Sequence, residues 1–145
     1  MFSISADPIN QQSIHDACLA SQCGGYCSFE GWVRNHHQGK AVKALSYEAY
    51  IQLAEKEGNL IIQEALAKFD IQHAHAVHRI GDLAIGEMAV GIGVSSAHRE
   101  AAFEGCRYVI EQIKGRVPIW KHEHYIDGST DWVACHCGAD VQHSH

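Results

Sequence analysis

Apolar residues recur along this chain with two spacings, one typical of helices and the other typical of strands. Apolar positions that return every three or four residues predict three helices. Alternation of apolar and polar residues predicts five strands. The helices are expected at about residues 8–23, 51–69 and 97–116, and the strands at about residues 26–34, 42–50, 71–80, 85–94 and 119–125.

Short polar and proline signals mark the ends of these helices. The Asp7-Pro8 pair is typical of an N-cap followed by proline at the first helical position. Ser95 or Ser96 can cap the third helix, and Pro118 ends it. Gly58 lies inside the second helix, where it costs about 1 kcal/mol relative to alanine.

The five strands are expected to form two hairpins and one final strand. The first two strands would pair around the polar loop 35–39, and the next two around Gly81-Asp82. The element order αββαββαβ predicts a single α+β domain with mainly antiparallel pairing over residues 1–133. Residues 134–145 lose all periodicity and are expected to form a flexible tail that contains Cys and His.

Composition narrows the class of protein. The 145 residues are 46% hydrophobic, which is enough for one core, and 17 acidic against 11 basic residues give a net charge of −6. That charge is unfavourable for general binding to nucleic acid or to an anionic membrane. Neither a run of about 18 apolar residues nor the basic start of a signal peptide is present, so we expect a cytoplasmic protein.

The cysteines and histidines do not predict a metal site. Without a secretory signal, the six cysteines are expected to be thiols. Residues 135–137 (CHC) with His143 and His145 have the residue types of a zinc site, but Cys-x-Cys is tighter than the usual spacer. Cys27 and Cys106 are able to carry a persulfide in principle, although they fall among apolar residues, where a free cysteine usually packs.

Two lysines flank the turn at Pro118. Lys114 ends the third helix and Lys121 lies in the next strand, so a tight turn brings two amines to one end of the sheet. Alternation places Glu123 and Tyr125 on the same strand face as Lys121. Such amines serve as proton donors, nucleophiles or anion anchors. The alternative is an ordinary edge-strand lysine whose ammonium reaches solvent.

Basic residues occur at two further positions suited to an anion. His98 and Arg99 lie where a strand leads into a helix N-terminus, whose backbone N–H groups attract anions. Arg34 ends an aromatic-rich strand beside a glycine-containing loop. In each case an ordinary helix start or a surface charge is the alternative.

Several separated motifs occur in order between residues 24 and 132. They are Gly24-Gly25 leading into residues 29–34 (FEGWVR), residues 45–50 (LSYEAY), residues 78–81 (HRIG) with Gly86-Glu87, residues 96–99 (SAHR) with Ala102-Phe103, and Lys114 with residues 117–123 (VPIWKHE). In this order the motifs resemble the catalytic large subunit of the molybdopterin synthase family.

The resemblance implies a hammerhead-type α+β fold and a dimer of large subunits. A small ubiquitin-like subunit would dock at each end, which makes a heterotetramer. The implied chemistry is sulfur transfer from the C-terminal Gly-Gly thiocarboxylate of that subunit to cyclic pyranopterin monophosphate, which forms the dithiolene of molybdopterin for molybdenum cofactor biosynthesis. This reaction requires no metal or redox cofactor.

The resemblance also implies roles for seven residues, which fall into a catalytic pair, a phosphate-binding set and two residues that line or order the pocket. They are Lys114 and Lys121 for catalysis, Arg34, His98 and Arg99 for the phosphate, and Phe29 and Glu123 for the pocket.

One departure from the family pattern concerns the C-terminus. The family tends to place a basic residue there that completes a pocket across the dimer, whereas this chain has no Lys or Arg after Lys121. His136, His143 or His145 would have to replace it. Two other functions stay open: a non-catalytic scaffold that binds a ubiquitin-like partner, and a metal-handling protein that uses the histidines.

Overall fold

The computed structural model describes residues 1–134, which form three helices and nine strands. The helices are α1 (Gln11–Cys18), α2 (Ile51–Lys68) and α3 (Arg99–Arg116). The strands are β1 (Phe2–Ser5), β2 (Gly25–Trp32), β3 (His36–His37), β4 (Lys40–Ala49), β5 (His73–Arg79), β6 (Gly81–Ala84), β7 (Met88–Ser96), β8 (Ile119–Tyr125) and β9 (Thr130–Ala134). All eight predicted elements are present in the predicted order, and β1, β3, β6 and β9 are additional.

The strands form two sheets. The first has the order β1-β5-β7-β2, and the second has the order β3-β4-β8-β9, with β6 also paired to β4. Within residues 1–134, β1 and β5 are parallel and the other paired strands are antiparallel. The α+β class and the mainly antiparallel pairing are therefore confirmed.

The predicted hairpin between β2 and β4 is wrong. β2 pairs with β7 in the first sheet, while β4 pairs with β8 in the second. The chain crosses between the sheets at Val33, which is buried against Leu45, Leu83 and Ala89. Periodicity could not predict this crossing, because alternation specifies which face of a strand is buried but does not specify which strand pairs with it.

The second predicted hairpin is confirmed in its pairing. His73 to His78 of β5 align antiparallel with Ser95 to Val90 of β7. The connection is longer than the predicted Gly81-Asp82 turn, because it includes β6, which leaves the first sheet and pairs with β4.

The main core lies between the first sheet and helices α2 and α3. Ile92 and Val94 of β7 face this core together with Val109 of α3. The opposite face of β7 carries Gly91 and Gly93, which lie close to α1. The sheet is thus covered on both sides. No helix within residues 1–134 is both long and apolar enough to cross a membrane.

Both predicted helix caps are wrong. α1 begins at Gln11, and its N-cap is Asn10, whose side-chain oxygen accepts hydrogen bonds from two backbone N–H groups. Asp7 and Pro8 precede this cap. Ser95 and Ser96 belong to β7, which stays paired with β2 as far as Ser96, so α3 begins only after His98.

Gly58 has a packing role that its helix propensity does not reveal. The Phe2 ring lies directly on Gly58, where an added Cβ would overlap it. We expect Gly58→Ala to lower the free energy of unfolding by about 1–3 kcal/mol, although alanine favours the helix itself. Urea unfolding measures this. Gly115→Ala is the matched control, because nothing lies within 4 Å of its Cβ position; an equal loss there would contradict the packing explanation.

Candidate active site

A buried carboxylate on β8 organises the candidate site. Glu123 is only 2% exposed, and its Oε2 lies 3.3 Å from Nζ of Lys121, two residues earlier on the same strand face. The Lys121 side chain is 21% exposed, so it is partly accessible from the surface. A buried carboxylate is strongly unfavourable without a partner, and Lys121 supplies the compensating charge.

Tyr125 holds the other oxygen of the same carboxylate. Its hydroxyl donates a hydrogen bond of 2.7 Å to Oε1 of Glu123. This bond raises the pKa of Tyr125 to about 12, since a phenolate beside a carboxylate is unfavourable. Tyr125 therefore stays a donor at neutral pH and fixes the orientation of Glu123.

His37 approaches Glu123 from the neighbouring hairpin. Its Nδ1 lies 3.7 Å from Oε2 of Glu123. Burial lowers the pKa of His37, and the charges of Lys121 and Arg34 add to this effect, while Glu123 opposes it. The net effect favours the neutral imidazole.

Lys114 lies near a second buried histidine. His78 is buried, its Nδ1 donates to the carbonyl of Arg79 at 2.9 Å, and burial lowers its pKa to about 4, with a smaller effect from Lys114. The rings of Tyr47 and His78 are in edge-on contact, with their centroids 4.9 Å apart. Tyr47 is also aligned with Lys121 in the pairing of β4 and β8. Lys121 is thus linked to Tyr47 by strand register, and Lys114 is linked to His78 by its charge.

Phe29 lies within β2, and Arg34 follows the end of that strand. Arg34 is exposed in the connection to β3, and its charge acts on His37 near the lysine site. Phe29 is on β2, aligned with Ile92, and keeps 38% exposure despite its size. An exposed aromatic ring suits contact with another molecule.

The structure does not bring His98 and Arg99 to the lysines within one copy of the chain. Both are exposed at the start of α3, and the helix separates Arg99 from Lys114 by roughly 22 Å. Gly25 packs against the backbone of Arg99, and β2 then runs roughly 23 Å to Trp32, close to Arg34. The residues predicted to bind phosphate therefore lie at opposite ends of β2.

Comparison with known proteins decides the family. The family of MoaE proteins matches residues 4–116. The chain belongs to the MoaE family. The molybdopterin synthase catalytic subunit of Thermoplasma volcanium is 43% identical to it over 129 residues, which cover 89% of this chain and 94% of that protein. The resemblance drawn from these separated motifs is confirmed.

Solved structures agree with this MoaE assignment. The crystal structure of molybdopterin synthase from Staphylococcus aureus superimposes with a TM-score of 0.86 at 39% identity, covering 90% of this chain and 95% of that one. A complex of subunits 1 and 2 of molybdopterin-converting factor from Helicobacter pylori shares the fold, with a TM-score of 0.72 at 22% identity and coverage of 92% and 88%.

Four residues of the candidate site were not predicted from the sequence. Alternation along β8 had already placed Tyr125 beside Glu123, which was a usable signal. His37 gave none, because its position depends on the pairing of β3, β4 and β8. Tyr47 and His78 lie in family motifs, yet only the packing of the two sheets brings their rings together.

Cys106, outside this site, is a buried thiol. Burial, helped by the neighbouring Cys27 thiol, raises the pKa of Cys106 to about 12, so Cys106 remains protonated at neutral pH. Within residues 1–134, no group of three or more His, Cys, Asp or Glu side chains is arranged to hold a metal ion. Residues 135–137, with His136, and also His143 and His145 lie outside the described part of the chain.

Proposed function

We propose that this chain is the catalytic large subunit of a molybdopterin synthase, a sulfurtransferase of molybdenum cofactor biosynthesis. The C-terminal thiocarboxylate of a small ubiquitin-like subunit gives its sulfur to cyclic pyranopterin monophosphate: a bond forms between this sulfur and a pterin side-chain carbon, the C–S bond to the acyl carbon breaks by hydrolysis, and water supplies the oxygen of the carboxylate that is released. Two transfers form the dithiolene. The observation that carries the proposal is the 43% identity to a molybdopterin synthase catalytic subunit over 89% of the chain. The proposal includes the cytoplasmic location expected from the sequence.

The lysine site suits the charges that this reaction creates. Opening the cyclic phosphate and releasing the carboxylate of the small subunit both require positive charge and a proton source. Lys121 provides an ammonium that Glu123 holds at the protein surface. We assign Lys114, whose charge acts on His78, as the second amine.

The separation of the basic residues supports a dimer as part of the proposal. Arg34 lies near the lysine site, whereas His98 and Arg99 are roughly 22 Å from Lys114 along α3. One phosphate is too small to span that distance. In the proposed homodimer, His98 and Arg99 of one copy complete the phosphate site next to Arg34 and Lys121 of the other.

The proposed small subunit enters along the exposed side of β2. We assign Phe29 to the channel for its Gly-Gly tail, since an exposed aromatic ring suits contact with a tail of small residues. This arrangement predicts a heterotetramer of two large and two small chains, because each copy of β2 would receive one tail.

Assembly with the small subunit tests this proposal. Light scattering of the mixture should give the mass of two large and two small chains. Phe29→Ala should weaken binding about tenfold, as expected for an exposed aromatic anchor at an interface. Leu53→Ala, on the outer face of α2 and 53% exposed, is the control. Deleting the last two glycines of the partner should abolish turnover, and product formation with such a partner would contradict the channel.

A further inference from the structure

His37 reaches the lysine site through a tight hairpin. β3 and β4 pair His37 with Lys40, and the two turn residues Gln38 and Gly39 both have positive φ, 50° and 81°. Two such residues are typical of the two-residue hairpin turn whose twist matches its strands. Alternation along β3 leaves His36 exposed and directs His37 inward.

Two nitrogen atoms compete for one oxygen of the Glu123 carboxylate. Tyr125 occupies Oε1, while Oε2 lies 3.3 Å from Nζ of Lys121 and 3.7 Å from Nδ1 of His37. The Nδ1 atom is buried and has no hydrogen-bond partner among the residues that the structure describes. A buried nitrogen without a partner is costly, and a movement of under about 1 Å would bring it to hydrogen-bond distance of Oε2.

We propose that His37 is a positioning residue of the lysine site, and that its protonation draws Oε2 of Glu123 away from Lys121. A protonated imidazole forms a charge-assisted hydrogen bond to Glu123, which competes with the ion pair that orients Lys121. The neutral imidazole leaves this pair intact. The role in turnover rests on the proposed function, whereas the competition for Oε2 is independent of it.

Four charged groups on three segments act on His37. Glu123 on β8 and Asp131 on β9 raise its pKa, while Lys121 on β8 and Arg34 before β3 lower it. Burial is the largest influence and also lowers the pKa of His37. The switch therefore operates below neutral pH. There His37 takes up a proton, and Glu123 no longer orients the ammonium of Lys121.

Titration of the His37 ring by NMR tests the competition without any turnover. The full chain is used, and His37→Asn identifies the His37 resonance among the twelve histidines. We expect an apparent pKa below the ordinary histidine value, which rises in Lys121→Ala because a repelling charge is removed. An unchanged pKa in Lys121→Ala would overturn the proposal. His36→Asn, at the exposed neighbour, should leave the His37 titration unaltered.

The pH dependence of dithiolene formation by the complex tests the consequence for catalysis. His37→Asn keeps a donor for Glu123 but does not titrate, so it should lose about two- to fivefold in kcat at neutral pH and lose the acid limb due to His37. His37→Leu has no donor and should lose about tenfold in kcat, with a smaller change in KM. His36→Asn should match the unaltered chain.

The two experiments separate failure of this inference from failure of the proposed function. An acid limb that persists unchanged in His37→Asn would remove His37 from the mechanism. If the unaltered complex makes no dithiolene at any pH, the proposed function fails, and the ring titration still decides whether His37 and Lys121 compete for Glu123.

Discussion

Replacing Lys121 with alanine is expected to lower the single-turnover rate of dithiolene formation by about 10²-fold or more. The reason is that the ammonium of Lys121, held by buried Glu123, supplies charge and a proton where the anionic groups of the substrates meet. Lys121→Arg keeps the charge but changes geometry and proton transfer, so its rate should also be low. Lys114→Ala should have a similar or somewhat milder effect.

A double variant separates catalysis from folding. Lys121→Ala leaves the carboxylate of Glu123 buried without its counter-charge, and this also lowers stability. Lys121→Met combined with Glu123→Gln removes both charges and should restore stability while the rate stays low. The small subunit should bind all of these variants. A rate near that of the unaltered chain in Lys121→Ala would remove this lysine from the mechanism and direct attention to Arg34 and His98.

Acid is expected to destabilise this protein by about 3 kcal/mol through His78 alone, as the pH falls from 7 to 4. Burial lowers the pKa of His78 from 6.5 to about 4 in the folded chain. As the pH falls through this interval, the unfolded chain takes up the proton first. The stability linked to the neutral ring is therefore complete above pH 6.5 and is lost progressively toward pH 4.

Urea unfolding at several pH values measures this loss. His78→Asn keeps a donor for the carbonyl of Arg79 but does not titrate, so the loss specific to His78 should disappear, although the smaller side chain lowers stability at all pH values. Lys114→Gln should reduce the loss slightly, because the charge of Lys114 helps to lower the pKa of His78. His36→Asn, at an exposed position, is the control. If the free energy of unfolding depends on pH in the same way in His78→Asn and in the unaltered chain, His78 is not the titrating group.

Local patterns in the sequence predicted the long elements well, because helices and strands bury one face with a regular period. The positions of α2, α3 and β8 were predicted to within one or two residues. The two-residue strand β3 and the short strands β1, β6 and β9 are held by long-range pairing, which leaves little local signal. The same limit explains the wrong hairpin between β2 and β4.

The candidate site, like the fold, could be predicted only in part from the sequence. Lys121 and Glu123 share a strand face, so alternation alone places them together. His37 joins them only because the hairpin of β3 and β4 is paired to β8, a register that local sequence does not determine. The sequence also did not predict the distance between Arg99 and the lysines, because the order of motifs along the chain contains no information about their separation in space.

The most direct test of the proposed function follows the sulfur itself. The full chain is mixed with a small subunit whose C-terminal thiocarboxylate contains isotopically labelled sulfur, together with cyclic pyranopterin monophosphate, and the dithiolene product is analysed by mass spectrometry. We expect labelled dithiolene from the unaltered chain and at least about 10²-fold slower labelling with Lys121→Ala. Dithiolene without label, or no dithiolene from the unaltered complex, would contradict the proposal.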